Sequence, residues 1–146
     1  MSFNKNNVVI RSMTDIDIKP VVSIWWAEIP GTASLAAQIK GNDNMSVIAE
    51  HEGHLVGFLL ASLIHVGLPM VKVCLLHAIA VKPDYRQHGI GAMLINKLWE
   101  DCKGRGIKTM RALVPADNIT LKAYVEEWGF RPSTTVNYDM SGANGR

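Results

Sequence analysis

Residues 81–92 read Val-Lys-Pro-Asp-Tyr-Arg-Gln-His-Gly-Ile-Gly-Ala. An apolar run ends at Val81, a polar loop turns at Pro83, and a helical pattern opens on two glycines. Glycine at 89 and 91 removes Cβ atoms, so backbone N–H groups can approach an anion closely. The first turn of a helix leaves its donors unpaired and carries partial positive charge. Such a turn usually holds Asp or Glu. None occurs between Tyr85 and Asn96, and Arg86 and His88 flank the glycines instead. A positive end without an internal anion suits an external one, such as phosphate. The pattern is Arg-x-x-Gly-x-Gly after a strand. It is not the dinucleotide fingerprint, because position 94 is Leu and Arg111 stands where an acid is required. Nor does it contain the Gly-Lys-Ser/Thr of nucleotide hydrolases.

The elements that must position this loop follow from periodicity. Val8–Arg11 is a β-branched run and reads as a first strand. Thr14 or Asp15 caps a helix whose Ile16, Ile18, Val21, Val22, Trp25 and Trp26 recur at near-helical spacing to about Ala27. Pro30-Gly31 breaks it, and a short helix is expected near Ala33–Lys40. Met45–Glu50, Leu55–Ile64 and Val71–Val81 read as strands, the last two apolar enough to be covered on both faces. A helix over about Gly89–Lys103 carries a stripe of Ile90, Leu94, Leu98 and Cys102, widened by Ile95 and Trp99. Ile107–Val114 reads as a strand. A last helix buries Leu121, Val125 and Trp128 and ends at Gly129, and Thr134–Met140 is a final strand. The expected fold is α/β: a mixed, mostly antiparallel sheet of six to seven strands with helices on both faces, in one domain.

Two motifs in this order resemble the GNAT acetyltransferase superfamily, over roughly Val8 to Met140. One is Ala80-Val81-x-Pro-x-Tyr-Arg-x-x-Gly-x-Gly, the family's CoA signature. The other is Asn118-x-x-x-x-Ala123-Tyr124-x-x-x-x-Gly129-Phe130, its late helix. The resemblance implies a GNAT N-acyltransferase fold in which Val71–Val81 splays from Ile107–Val114 and acetyl-CoA lies in the gap. It implies that backbone around Ile79, Ala80 and Val81 pairs with the pantetheine arm. Backbone amides of Gln87, His88, Gly89, Ile90, Gly91 and Ala92, beside Arg86, would hold the diphosphate. Asn118 would bond the cofactor near the thioester, and Tyr124 would face the CoA sulfur. Read without the family, Asn118 is a helix cap and Tyr124 a half-buried core residue.

The implied reaction is direct attack of a neutral primary amine on the thioester, with an N–H near Ile79 stabilising the oxyanion and Tyr124 protonating the thiolate. The amine must first lose a proton, since free alkyl amines have pKa values near ~10. Many family members carry an acid on the fourth strand; this chain has His77 there, and no Asp or Glu between Gly53 and Val81. His77 is one candidate base, or a histidine satisfied within the sheet. Glu28 is another, or a solvated carboxylate. Ordered water alone is a third route. The alternative function is a non-catalytic acyl-CoA-binding module of the same fold; a longer acyl donor or an oxygen acceptor also stays open.

Composition narrows the partners. A net charge of +2 with scattered Lys and Arg argues against a nucleic-acid binder. No CxxC or Cys/His spacing points to a metal. Cys74 and Cys102 lie in apolar segments and read as buried free thiols, which fits a reducing cytoplasm. Residues 1–7 have no apolar signal-peptide core, and Leu55–Val71, with His65, Pro69 and two glycines, falls short of a membrane span. The expected partners are a small-molecule or peptide amine, walled by Ile16–Lys40, the turn at His65 and the last strand near Tyr138. A homodimer through that last strand, common in the family, is also open.

Overall fold

The computed structural model describes residues 4–25 and 41–142. Two compact units divide after Leu113. The first holds one five-stranded sheet in the order β1-β2-β3-β4-β5. Its strands are β1 (Val8–Ser12), β2 (Val47–His51), β3 (His54–Val66), β4 (Val71–Val81) and β5 (Met110–Ala112). β1 to β4 are antiparallel neighbours, and β5 runs parallel to β4. The mixed, mostly antiparallel sheet is thus as expected, but the described residues carry five strands rather than six or seven. Residues 134–140 form no strand, and β5 is three residues long rather than Ile107–Val114.

The β2–β3 hairpin closes on Glu52 and Gly53, both left-handed (φ 52° and 82°). Two such residues make the turn whose twist matches antiparallel strands. His51 then pairs with His54, and a bulge at Val56 brings Gly57 opposite Ala49. A second bulge lies in β4: Leu60 pairs with Ala78 and Ala61 with Leu76, so His77 is the extra residue.

Alternation along the strands separates two packed faces. Ile48, Phe58, Leu60 and Ala80 cluster with Met13 and with Val21 of α1 (Ile18–Trp25). α1 enters through a tight turn at Asp15–Asp17, with the Thr14 N–H donating to Asp17 Oδ2 at 2.8 Å. The opposite face carries α2 (Ile90–Gly104), whose Ile90, Leu94, Ile95, Leu98 and Cys102 are buried. Trp99 departs from the expected stripe and is exposed, because it sits outside the arc that α2 turns to the sheet. Cys74 and Cys102 are buried free thiols. The expected end of the first helix, with Trp26 and Glu28, and the helix near Ala33–Lys40 lie outside the described residues.

The second unit contains α3 (Ile119–Glu127), with Val125 buried. Gly129, at φ 104°, ends it, and the Phe130 N–H returns to the Val125 carbonyl at 2.9 Å.

Candidate active site

The antiparallel register gathers Val8, His51, His54 and Val81 at one end of the sheet. The loop that the sequence singled out starts there. The Lys82 N–H donates to the Val56 carbonyl at 2.8 Å, so the chain leaves β4 still tied to β3. Pro83–Tyr85 forms a tight turn, and the Tyr85 ring packs on His51 with centroids 5.4 Å apart. Arg86 Nε donates to the Val81 carbonyl at 2.9 Å. Arg86 therefore spends part of its guanidinium holding the loop against the strand that precedes it.

Beyond this clamp the backbone turns left-handed at Gln87 (φ 65°) and at Gly89 (φ 81°). Gly89 is the cap of α2, and its carbonyl accepts the Met93 N–H at 3.0 Å. No side chain caps the helix, and no acid lies in its first turn. Gln87, His88, Gly89 and Ala92 are exposed, while Ile90 is buried and anchors the mouth. Gly57 lies beneath that anchor, against the neighbouring strand. A Cβ at 57 would lie 3.5 Å from Ile90 Cγ2 and 3.1 Å from the Ala80 carbonyl. The arrangement is a set of donors facing solvent at the positive end of a 15-residue helix, suited to a diphosphate.

The second part of the site is a parting of strands. β4 and β5 pair only through Cys74–Met110, Leu75–Arg111 and Leu76–Ala112. From His77 to Val81, β4 has no strand on that side among the described residues. Backbone N–H and C=O groups there can pair with an extended ligand as with an added strand. Ile79, Ala80 and Val81 lie along this stretch, which leads to the mouth of α2.

His77 opens the parted segment. As the bulged residue it is turned toward the face that carries α1, where its Nε2 lies 2.7 Å from Ser62 Oγ. Partial desolvation lowers its pKa below the usual 6.5, which keeps the imidazole neutral at neutral pH. The structure thus gives His77 a partner within the sheet while leaving it exposed.

Within the second unit, Asn118 Oδ1 accepts the Leu121 N–H at 3.0 Å and caps α3. Its side-chain NH₂ is the donor that such a cap leaves for other partners. Tyr124 is exposed rather than half-buried, its ring stacked on Trp128 with centroids 6.1 Å apart. Glu28 lies outside the described residues. Periodicity and spacing did not reveal Gly57, the His51–Tyr85 contact, or Lys5, whose Nζ lies 3.5 Å from where a Cβ at Gly89 would stand. A glycine inside a strand pattern was an available signal for Gly57, whereas nothing in the sequence ties Lys5 to a loop more than 80 residues on.

The Acetyltransferase (GNAT) family model matches residues 14–130. The chain belongs to this family. Among relatives, an uncharacterized N-acetyltransferase of Methanocaldococcus jannaschii, MJ1207, is 29% identical over 99 residues, 67% of this chain and 44% of that protein. The [ribosomal protein bS18]-alanine N-acetyltransferase of Salmonella typhimurium is 38% identical over 56 residues, 38% of each chain. The chain thus matches less than half the length of these relatives. Among solved structures, the aminoglycoside N-acetyltransferase AAC(6')-Iy in complex with CoA superposes with a TM-score of 0.78 at 22% identity, over 92% of this chain and 95% of that one. A ribosomal-protein-alanine N-acetyltransferase from Brucella melitensis gives 0.74 at 16% identity, over 92% and 98%. At these identities the structures establish the GNAT fold.

Proposed function

We propose that this chain is an acetyl-CoA-dependent N-acetyltransferase that moves an acetyl group to a primary amine by direct attack on the thioester. The observation that carries the reading is the uncapped, acid-free glycine mouth of α2 at the end of the strand that parts from β5. Membership of the GNAT family and the N-acetyltransferase names of its relatives support it.

In this reading, amides from Gln87 to Ala92 bind the diphosphate, and the free edge of β4 at Ile79–Val81 aligns the pantetheine arm. An N–H near Ile79 meets the oxyanion as it forms. His77, neutral and bonded to Ser62, accepts the amine proton, and Tyr124 protonates the thiolate. A thiol with pKa near ~8.5 is a fair leaving group, so Tyr124 assists more than it enables. Glu28 stays the second candidate base. The acceptor is an amine on a small molecule or a peptide, and no metal takes part.

Residues 8–140 are read as one GNAT domain, since the family match runs through both compact units. No described helix is long and apolar enough to cross a membrane. The buried thiols Cys74 and Cys102 favour the cytoplasm. A homodimer is included in the reading, because Val136, Tyr138 and Met140 alternate as in a strand yet are exposed.

A thermal shift with acetyl-CoA, followed by thiol release across an amine panel, tests the activity. Stabilisation with thiol release for at least one amine is expected. Stabilisation without release from any amine would replace the enzyme with a CoA-binding module.

A further inference from the structure

The mouth of α2 has a second positive component that the CoA signature does not contain. Asn4–Asn7 forms a tight turn just before β1, closed by the Asn7 N–H on the Asn4 carbonyl (3.0 Å) and by the Asn6 N–H on Asn4 Oδ1 (3.0 Å). β1 pairs with β2 from Val8 opposite His51, so this turn sits at the sheet end where the loop 82–89 begins. Lys5, inside the turn, reaches the helix cap. A Cβ at Gly89 would lie 3.5 Å from Lys5 Nζ and 4.0 Å from its Cε.

This placement is electrostatically wrong for the protein alone. The start of a helix carries partial positive charge and favours carboxylates, not ammonium groups. No acid lies in the first turn of α2, and Lys5 makes no salt bridge with any described residue. Two positive groups held together without an internal anion become favourable when an anion sits between them. A phosphate held by the Gly89–Gly91 amides would have Lys5 Nζ within reach of a charge-assisted bond.

We infer that Lys5 is a cofactor-binding residue whose ammonium pairs with the diphosphate of acetyl-CoA at the Gly89 cap. The inference rests on the reading of residues 87–92 as the diphosphate cradle. It adds a cation delivered from the other end of the domain's sequence, which closes the cradle from the β1 side.

Isothermal titration of CoA and dephospho-CoA into wild type, Lys5→Gln, Lys5→Arg and Gly91→Glu tests it, with circular dichroism as a check on folding. Lys5→Gln should weaken both ligands about equally, by about fivefold, while Lys5→Arg retains most of the affinity. Added salt should narrow the gap between wild type and Lys5→Gln. A loss for CoA but not for dephospho-CoA would move Lys5 to the 3′-phosphate and overturn the assignment. Unchanged affinity for both in Lys5→Gln, with Gly91→Glu unable to bind, would remove Lys5 and leave the cradle standing. Full affinity in folded Gly91→Glu would instead sink the cradle.

Discussion

At the scale of single residues, the proposed reaction gives the amine proton to His77 and the thiolate its proton from Tyr124. His77 is the extra residue of the β4 bulge, bonded to Ser62, with a pKa held below 6.5 by partial desolvation. A base with a lowered pKa is ready over a wider range: kcat/KM should rise as pH climbs through that value, then rise again as the amine itself deprotonates. Replacing His77 with Gln should lower the rate by roughly tenfold or more and erase the lower rise. A pH–rate profile that keeps both limbs in His77→Gln would hand the base to Glu28 or to water. Tyr124 is exposed and stacked on Trp128. Tyr124→Phe keeps that stacking and removes only the hydroxyl, so kcat should fall by about tenfold with little change in the KM for acetyl-CoA. Steady-state kinetics with equal rates in both proteins would exclude the hydroxyl.

At the scale of elements, the site depends on how α2 is seated. Ile90 is buried over Gly57, beside the Ala80 carbonyl. Gly57→Val would push Ile90 and the helix mouth off the sheet. It should cost about 1–3 kcal/mol of stability, as overpacking does, and weaken CoA binding as well. Urea denaturation and titration together check this; a loss of stability with unaltered affinity would show that the mouth does not depend on this seat. The two long strands were legible in the sequence because continuous apolar runs bounded by Gly-Leu-Pro and Glu-Gly turns admit few other readings. β5 was not, because its length is set by where it parts from β4, after the Leu76–Ala112 pair. The run at 134–140 shows the same limit. Val136, Tyr138 and Met140 alternate like a strand, yet a strand requires a neighbour, and the pattern alone does not supply one.

At the scale of the whole molecule, one ionic cluster ties the start of the sheet to the entrance of α1. Arg11 donates to both Asp17 oxygens at 2.8 and 2.9 Å and to Glu50 Oε1 at 2.9 Å, linking β1, β2 and the helix entrance. Burial alone would raise the Asp17 pKa, but the bonds from Arg11 and Thr14 outweigh it and hold the carboxyl below its ordinary 3.8. A carboxyl with a depressed folded pKa contributes stability that is fully present above its unfolded value and is lost as pH falls through the folded one. Asp17→Asn should therefore cost roughly 1–3 kcal/mol at neutral pH. The gap from wild type should shrink as pH drops below about 3.8. Thermal melts from pH 7 to pH 2 would reveal a constant gap if the charge contributed nothing.

Local chemistry was enough to single out the mouth of α2, its glycines, the missing acid and the caps of the helices, because each depends on neighbours a few residues away. It was also enough to place His77 on the right strand and to leave its two roles open. Only the fold decided that His77 is the bulged residue facing Ser62, that β4 and β5 separate after Leu76, and that Lys5 stands over Gly89. These depend on register and strand pairing between distant segments, and a pairing register is an energy of the assembled sheet rather than a property of any stretch of chain.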